Sequence, residues 1–508
     1  MSEEVPAEGW EPLLAELGSR RDAARAMGGP ERLARLRVNG RLDARAQLGA
    51  LCDPGSFTEI GTLAGSMPPP GLPQAPADAL VAGIARIGGR TVMVGAEDFT
   101  VQGGSIGFAT AAKRLRLARL AAQERCPLVM LLDGAGERAS NALQRYPYAP
   151  NDMQAMAALS GRVPTVSVVT GSSAGHGAVT ALLSDFVVML ESATLFAAGP
   201  ALVAAATGEN VSREDLGGAR MHAGRSGVVH NLAATEQEAF DLVRRYLALL
   251  PPNAWTLPTR LDTGDAGERR LDALLEILPR DGQRPYDMRA VLREVLDVGE
   301  LLEIQPLFGR SMLTVLGRLG GEAVAVLANQ PLMLAGSVDR DAAEKAARFL
   351  QIADAFHLPV IFLADTPGVL SGSQAERNGT LRAAARMYMA QQRLRVPKLH
   401  VTLRKAYGFG SSVMGMNPFD GQTLSLALPG ASLGGLPASG AEVAGYDAAA
   451  RREMARHQAE GAWRAGDTLA YDEIIDPREL RNALLAGLRL GLGRRSGSTE
   501  ARGDGIWP

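Results

Sequence analysis

The sequence predicts an α/β protein built from two similar halves, and three observations carry that prediction. Runs such as LVMLLD at 128–133 and VIFLAD at 360–365 are apolar throughout, which is typical of parallel strands covered on both faces. A Gly-x-Gly occurs twice, as Gly175-His176-Gly177 and as Gly408-Phe409-Gly410. The motifs around these features recur in the same order in both halves, so the chain is expected to be duplicated.

Each half begins with a predicted hairpin, at 83–95 and at 317–327, where a Gly-Gly pair separates two apolar runs. An amphipathic helical pattern follows, and the apolar strand and a glycine turn come after it. A further strand, at 165–170 or 398–403, leads into the Gly-x-Gly. At an offset of 232 residues the pairs are Ser105 with Ser337, Lys113 with Lys345, Asp133 with Asp365, and Gly136 with Gly368; at an offset of 233 they are Gly175 with Gly408 and Gly177 with Gly410.

Composition divides the chain further. Residues 250–285 are rich in proline, glycine and charge, which indicates a connector between the halves. The predicted segments are an N-terminal helical segment and loop at 1–80, a first half at 81–250, a connector at 251–300, a second half at 301–490 and a tail at 491–508.

The bulk composition of the chain excludes several classes of protein. A length of 508 residues favours more than one domain. The net charge of −2, from 53 basic and 55 acidic residues, indicates neither nucleic-acid nor membrane binding. Two cysteines argue against a disulfide framework, and the acidic N-terminus is unlike a targeting peptide. We therefore expect a cytoplasmic protein without a metal site.

Each Gly-x-Gly is a candidate catalytic corner. A strand that turns into a helix presents backbone N–H groups that have no partner inside the helix. Glycine allows the sharp turn and a close approach of a ligand. Such a corner can stabilise an oxyanion, and two of them would suit a reaction that polarises two carbonyl oxygens. For one Gly-x-Gly alone a simple turn is the better interpretation, but the matched pair favours catalysis.

Longer motifs resemble one known family, the carboxyltransferase (β) subunits of biotin-dependent acyl-CoA carboxylases of the propionyl-CoA and methylcrotonyl-CoA type. The resemblance extends from about Gly28 to Leu488. It rests on AMGGPERLARLRVNGRLDARAQLGALCDPGSF (26–57), TGENVSREDLGGARMHAGRSGVVHNLA (207–233), RPYDMRAVLREVLDVGELLEIQP (284–306), NQPLMLAGSVD (329–339), ADTPGVLSG (364–372) and LRKAYGFG (403–410).

The resemblance implies a duplicated crotonase-like (ClpP/crotonase) spiral fold and a homo-hexamer. It implies that the first half binds acyl-CoA and the second half binds carboxybiotin. The catalytic residues would then be Gly175, His176, Gly177, Phe409 and Gly410. The substrate-binding residues would be Gly104, Ser105, Lys113, Gly136, Arg138, Gly408, Ser411 and Ser412, with Lys113 and Arg138 near the phosphates of CoA.

Three positions at or next to the glycine corners depart from the family pattern. His176 stands where the family usually has glycine, so we expect its amide to serve the oxyanion and its ring to line the pocket. A His176→Ala variant is then expected to keep substantial activity. Ser411 and Ser412 replace the tyrosine and aspartate of the propionyl type, the latter linked to acyl-chain choice. The sequence therefore leaves the acyl group open.

Biotin is expected on a separate protein. In this family it is carried on a lysine that usually lies between methionines, and none of the four lysines here has that context. No ATP-binding loop with the GxxxxGK[ST] pattern is present either. A biotin carboxylase and biotin carrier subunit are therefore the expected partners.

Three alternatives remain at this stage. The chain could serve a biotin-linked acyl-CoA decarboxylase, which runs the transfer in reverse. It could be a non-catalytic paralogue in a mixed assembly, although both corners are open. A biotin-independent hydrolase or hydratase of the same fold would need only one active half.

Overall fold

The computed structural model describes residues 9–67, 74–139, 141, 152–417, 420–435, 445–494 and 505–508. These residues form two compact units. The first unit contains the described residues up to His222 and Leu232–Arg244, and the second contains Ala223–Asn231 and the described residues from Arg245 onwards. Two separate eight-stranded sheets account for the strands.

The first sheet has the order β1-β2-β3-β4-β5-β6-β8, with β7 paired to β5. Its strands are β1 (Thr58–Ile60), β2 (Leu80–Ile87), β3 (Arg90–Glu97), β4 (Leu128–Gly134), β5 (Thr165–Ala174), β6 (Phe186–Leu190), β7 (Thr194–Phe196) and β8 (Asn231–Ala233). The helices in this part of the chain are α1 (Trp10–Arg25), α2 (Pro30–Val38), α3 (Ala44–Leu51), α4 (Phe108–Glu124), α5 (Asp152–Ala157), α6 (His176–Leu182), α7 (Pro200–Thr207), α8 (Arg213–Gly217), α9 (Ala219–Met221) and α10 (Glu236–Leu249).

The second sheet has the order β16-β14-β13-β12-β11-β10-β9, with β15 paired to β13. Its strands are β9 (Leu302–Ile304), β10 (Met312–Leu319), β11 (Glu322–Asn329), β12 (Val360–Thr366), β13 (Lys398–Tyr407), β14 (Leu424–Ala427), β15 (Ser432–Gly434) and β16 (Glu473–Ile474). The helices that follow α10 are α11 (Leu274–Ile277), α12 (Met288–Val295), α13 (Arg340–Ala355), α14 (Ser373–Arg377), α15 (Thr380–Gln392), α16 (Gly408–Val413), α17 (Ala448–Ala459), α18 (Gly461–Asp467) and α19 (Leu480–Leu492).

The two sheets repeat one topology, so the predicted duplication is confirmed. In each sheet the first three strands are antiparallel, and the strands from β3 to β6 in the first sheet and from β11 to β14 in the second are parallel. The predicted hairpins turn at Gly88-Gly89 and at Gly320-Gly321, where all four glycines have positive φ. The strand before each Gly-x-Gly also pairs in the same way in both sheets. Strand β5 pairs with β6 along its first part and with β7 near its end, and β13 pairs likewise with β14 and then β15.

The uniformly apolar strands are the buried centres of their sheets. Every residue of β4 and of β12 is buried. Helix α4 packs against β2 and β3, and α13 packs in the same way against β10 and β11. Burial on both faces explains why these strands show no alternation of polar and apolar residues.

Part of the segment predicted as a connector lies in the core of the second unit. Helix α12 buries Met288, Val291, Leu292 and Val295, which lie on one face because they are spaced three or four residues apart. Those side chains pack with the core that includes Leu313 of β10. Helix α12 follows the stretch 250–285 whose composition suggested a linker, but it lies inside the predicted connector 251–300.

A buried lysine closes one turn in each unit. The ammonium group of Lys113 contacts the carbonyl oxygens of Ala77 and Leu80. Lys345, its match at an offset of 232, donates to the carbonyl oxygens of Gln305 at 3.2 Å and Phe308 at 2.6 Å. Burial lowers the pKa of Lys113 to about 8 and that of Lys345 to about 7. The duplication therefore preserved a structural role for this lysine.

We expect Lys345→Met to lower the free energy of unfolding of the second unit by about 2 kcal/mol, because two buried carbonyl groups lose their donor. Urea unfolding followed by circular dichroism measures this loss. Arg489→Met, at an exposed position, is the matched control and should change stability by less than about 0.5 kcal/mol. A Lys345→Met protein as stable as wild type would contradict the assigned role.

In the described part of the chain, no helix is long and apolar enough to cross a membrane.

Candidate active site

The first glycine corner lies where β5 turns into α6. Gly175 has φ of 53°, a left-handed conformation that favours glycine, and its N–H donates to the carbonyl oxygen of Phe196 at 3.0 Å. The first hydrogen bond within the helix runs from Val179 N–H to the Gly175 carbonyl. The N–H groups of His176 and Gly177 come before that bond and are therefore available to a ligand.

Two further predicted glycines approach the backbone around this corner. A Cβ at Gly136 would lie 2.7 Å from the carbonyl oxygen of Ala174, and a Cβ at Gly104 would lie 2.2 Å from that of Asp133. Both glycines have positive φ. The structure thus brings Gly104 and Gly136 to the ends of β4 and β5, where a side chain has no room.

Ser105 and Arg138 are joined to each other. Arg138 donates from Nε to Ser105 Oγ at 3.1 Å and from Nη2 to the Ser105 carbonyl at 2.8 Å. The same guanidinium forms an ion pair with Asp78 at 2.6 Å. It is partly exposed, so it can reach a phosphate only on its open side.

Lys113, unlike Arg138, is not exposed to solvent. Its ammonium group is enclosed by the backbone carbonyls described above and is buried. A contact with a phosphate would require the side chain to leave this position. Its assignment as a CoA ligand stays a prediction, and its observed contacts are structural.

The second corner lies where β13 turns into α16 and repeats the geometry of the first. Gly408 has φ of 54°. A Cβ at Gly410 would lie 2.5 Å from the Cα of Gly368, the match of Gly136, so this close approach between two glycines leaves no space for a methyl group. Phe409 is partly exposed, and its ring lies 5.5 Å from the ring of Tyr388.

The two serines after the second corner have local partners. Ser411 Oγ donates to the Gly408 carbonyl at 2.7 Å, and Ser412 Oγ donates to Asn417 Oδ1 at 3.0 Å. Ser411 therefore supports the corner itself. Neither hydroxyl brings a charge to this position, in contrast to the aspartate of the propionyl type.

A buried polar cluster that sequence reasoning missed lies behind the first corner. His176 Nε2 is 2.8 Å from Asp152 Oδ1. Arg114 donates to Asp152 Oδ2 at 2.7 Å and to Glu97 Oε1 at 2.9 Å, and it also contacts Thr180. Except for His176, which has 11% of its side chain exposed, the charged members are almost completely enclosed. A comparison of the two halves could have revealed the cluster, because Glu97 and Arg114 match Asn329 and Ala346.

Burial and charge act in opposite directions on the two acids of this cluster. Burial raises the pKa of Glu97, although the charge of Arg114 and a hydrogen bond from the Asp133 N–H act against it. Burial alone would also raise the pKa of Asp152, but the contacts from His176 and Arg114 lower it overall. Asp152 is therefore held as a carboxylate beside the histidine ring.

Comparison with known proteins places this chain and its fold in one family. The carboxyl transferase domain family matches residues 36–490. A propionyl-CoA carboxylase carboxyltransferase subunit of Haloferax mediterranei is 33% identical over 512 residues, covering 98% of this chain and 99% of that protein. The methylmalonyl-CoA decarboxylase subunit alpha of Veillonella parvula is 33% identical over 478 residues, covering 92% and 93%.

Among solved structures, the crystal structure of transcarboxylase 12S, a hexamer assembly with methylmalonyl-coenzyme A bound, matches with a TM-score of 0.90 and 30% identity. The match covers 99% of this chain and all of that one. The chain belongs to the carboxyl transferase family, and the predicted fold of duplicated crotonase-like domains is confirmed.

Proposed function

We propose that this chain is a carboxyltransferase subunit that moves a carboxyl group from carboxybiotin, held on a separate carrier, to the α or vinylogous carbon of an acyl-CoA. The observation that carries the proposal is the pair of equivalent glycine corners, at Gly175–Gly177 and Gly408–Gly410. Two substrates that each bear a carbonyl oxygen need two such corners. The names of the two relatives given above refer to propionyl-CoA and methylmalonyl-CoA, which supports an acyl-CoA as the substrate class.

The proposed chemistry needs no side-chain base. Donors at the second corner stabilise charge on the ureido oxygen of biotin while carboxybiotin releases CO2. The resulting biotin anion takes the α-proton of the acyl-CoA, and the first corner holds the enolate oxygen. The enolate carbon then attacks CO2 and forms the new carboxylate. Backbone N–H groups aimed at the developing charge supply the stabilisation.

The lysines of the chain support a separate biotin carrier. Lys113 and Lys345 are buried against carbonyl groups. Lys398 is buried and contacts the Asp420 carbonyl, and Lys405 donates to the Gly282 carbonyl at 3.0 Å and lies 3.6 Å from Asp365. All four lysines of the sequence are thus engaged within the fold. A biotin on this chain would have to displace one of these contacts.

A biotin-linked decarboxylase is the second candidate, and the similarity to the Veillonella parvula subunit favours it. The two reactions use the same transfer in opposite directions. A homo-hexamer, a biotin carboxylase and carrier partner, and action in the cytoplasm remain parts of this proposal. The hexamer is supported by the likeness to transcarboxylase 12S.

The test is a transfer assay with a biotinylated carrier, using a panel of acyl-CoAs in one direction and carboxyacyl-CoAs in the other. We expect transfer to at least one acyl-CoA that depends on the carrier. A carrier in which the biotinylated lysine is replaced by arginine is the control and should give none. A folded chain that binds CoA but transfers nothing in either direction would contradict the proposal.

A further inference from the structure

The charged cluster behind the first corner has no counterpart behind the second. Glu97 and Arg114 match Asn329 and Ala346, and His176 matches Phe409. The position of Asp152 in the first half corresponds to an alanine, Ala384 or Ala385, in the second. The duplicated fold therefore forms the same corner with and without this cluster.

The charge of Glu97 is not needed to support the backbone. Glu97 Oε2 accepts the N–H of Asp133 at 2.9 Å. In the second unit, Asn329 Oδ1 accepts the N–H of Asp365 at 3.1 Å in the same place. A neutral amide can therefore accept this backbone hydrogen bond in place of a carboxylate. The negative charge of Glu97 instead faces the guanidinium of Arg114, which an alanine, Ala346, replaces in the second unit.

The charges of this cluster do not balance unless one more proton is bound. The cluster holds two carboxylates, Glu97 and Asp152, and one guanidinium, Arg114, so it has one excess negative charge while the histidine is neutral. An uncompensated charge in a buried site costs several kcal/mol. One additional proton removes the excess, and it can be held by Glu97 or by His176.

The hydrogen bonds favour the histidine as the holder. Burial raises the pKa of Glu97, but both of its oxygens already accept N–H groups, from Asp133 and from Arg114, and these bonds favour the carboxylate. His176 Nε2 is enclosed and lies 2.8 Å from Asp152 Oδ1, which is an ion-pair distance for a protonated ring. Because Nε2 is enclosed, Nδ1 is the nitrogen left for a substrate oxygen.

We infer that His176 acts as an imidazolium, held in orientation by Asp152 and balanced by Glu97, and that its charge stabilises the enolate oxygen of the acyl-CoA. The inference rests on the proposed function and adds a side-chain contribution to the first corner alone. His176 is the catalytic residue in this scheme, whereas Asp152, Arg114 and Glu97 are positioning residues. No proton leaves the ring during turnover, because the biotin anion takes the α-proton.

The charged groups around the ring set its pH dependence. Among the described residues these are Asp152 on α5, Arg114 on α4, Glu97 on β3 and, at the end of β4, Asp133, which is paired with Arg41. Apart from the Asp133–Arg41 pair, these groups are two carboxylates and one guanidinium. As pH rises the ring loses its proton, so kcat is expected to decrease at alkaline pH. We attribute this alkaline limb of the pH profile to His176.

The test compares His176→Gln and Glu97→Gln with wild type in the transfer assay across pH. His176→Gln should lower kcat about tenfold and remove the alkaline limb, and KM for acyl-CoA should hardly change, because the lost interaction forms only with the enolate. The backbone amides remain, so activity is not abolished. Glu97→Gln should keep the limb but move it to lower pH, since one negative charge near the ring is gone.

Asp185→Asn is the matched control. Asp185 is a buried acid that accepts the N–H of Thr165 at 2.9 Å, at the end of β5 away from the corner. Its removal should leave the limb where it is in wild type. If Glu97→Gln does not fold, Asp152→Asn makes the same change of charge and should shift the limb in the same direction.

A second readout does not need turnover. The chain has six histidines, and in a 13Cε1-histidine NMR spectrum the His176 signal is the one lost in His176→Gln. Its titration should move to lower pH in Glu97→Gln. The inference would be overturned if, in Glu97→Gln, both the alkaline limb of kcat and the NMR titration of His176 stayed at their wild-type pH. A wild-type kcat in His176→Gln would also overturn it. Absence of transfer in wild type would instead contradict the proposed function, and the NMR titration would still decide the state of the ring.

Discussion

Replacing Gly177 with proline is expected to abolish carboxyl transfer, with a loss of at least about 10²-fold in kcat. Gly177 is the second residue of α6, and its N–H comes before the first hydrogen bond of that helix. Proline is tolerated in the first turn of a helix, so the substitution removes the donor while the helix can still form. Steady-state transfer to the best acyl-CoA measures the loss.

Gly177→Ala separates the missing donor from the added bulk. Alanine keeps the N–H, and its methyl group would lie 2.8 Å from Ser173 Oγ, a side-chain atom that can rotate away. We expect this variant to retain far more activity than the proline variant. If the proline protein keeps its far-ultraviolet circular dichroism and oligomeric state yet transfers at a rate close to that of alanine, the N–H of Gly177 does not hold the enolate.

Gly410→Ala is expected to cause a comparable loss at the other corner. A methyl group at this position would lie 2.5 Å from the Cα and 2.6 Å from the carbonyl carbon of Gly368. Both are backbone atoms, so the turn after β12 and the start of α16 must move apart. The backbone donors that we propose for the ureido oxygen are then displaced, and transfer should fall by about 10²-fold or more.

The two corners can be tested separately because they are assigned to different substrates. Gly410→Ala should prevent release of CO2 from carboxybiotin, while acyl-CoA binding, which we assign to the first unit, should remain close to that of wild type. Gly267→Ala is the control, since a Cβ there meets no atom within 4 Å. Full transfer by Gly410→Ala, or an equal loss in Gly267→Ala, would refute the assigned role of the second corner.

The fold could be predicted from sequence to the level of its repeat. Landmarks such as Asp133 and Asp365, or Gly136 and Gly368, keep their spacing because each must meet the same backbone neighbour in both halves. Strand lengths could not be predicted in this way. Strand β5 continues to Ala174 and β13 to Tyr407, beyond the apolar runs at 165–170 and 398–403, because their last residues pair with the short strands β7 and β15.

Local motifs predicted the part of the candidate site that is made of backbone, whereas the buried charges could be found only by comparing the two halves. The glycines at positions 175, 177, 408 and 410 can be recognised in the sequence by residue type and spacing. The cluster of His176, Asp152, Arg114 and Glu97 joins four different elements, and no local pattern connects them. The same limitation applied to Lys113, whose partners are carbonyl groups more than thirty residues away.

The buried lysines give each half of this protein its own chemical reporter of opening. An amine-reactive reagent reaches Lys113 or Lys345 only after the ammonium group leaves its enclosing carbonyls. With four lysines in the whole chain, modification at these two sites can be followed separately by mass spectrometry. Their rates of labelling would report how often each half opens, with no need to introduce a label or a new residue.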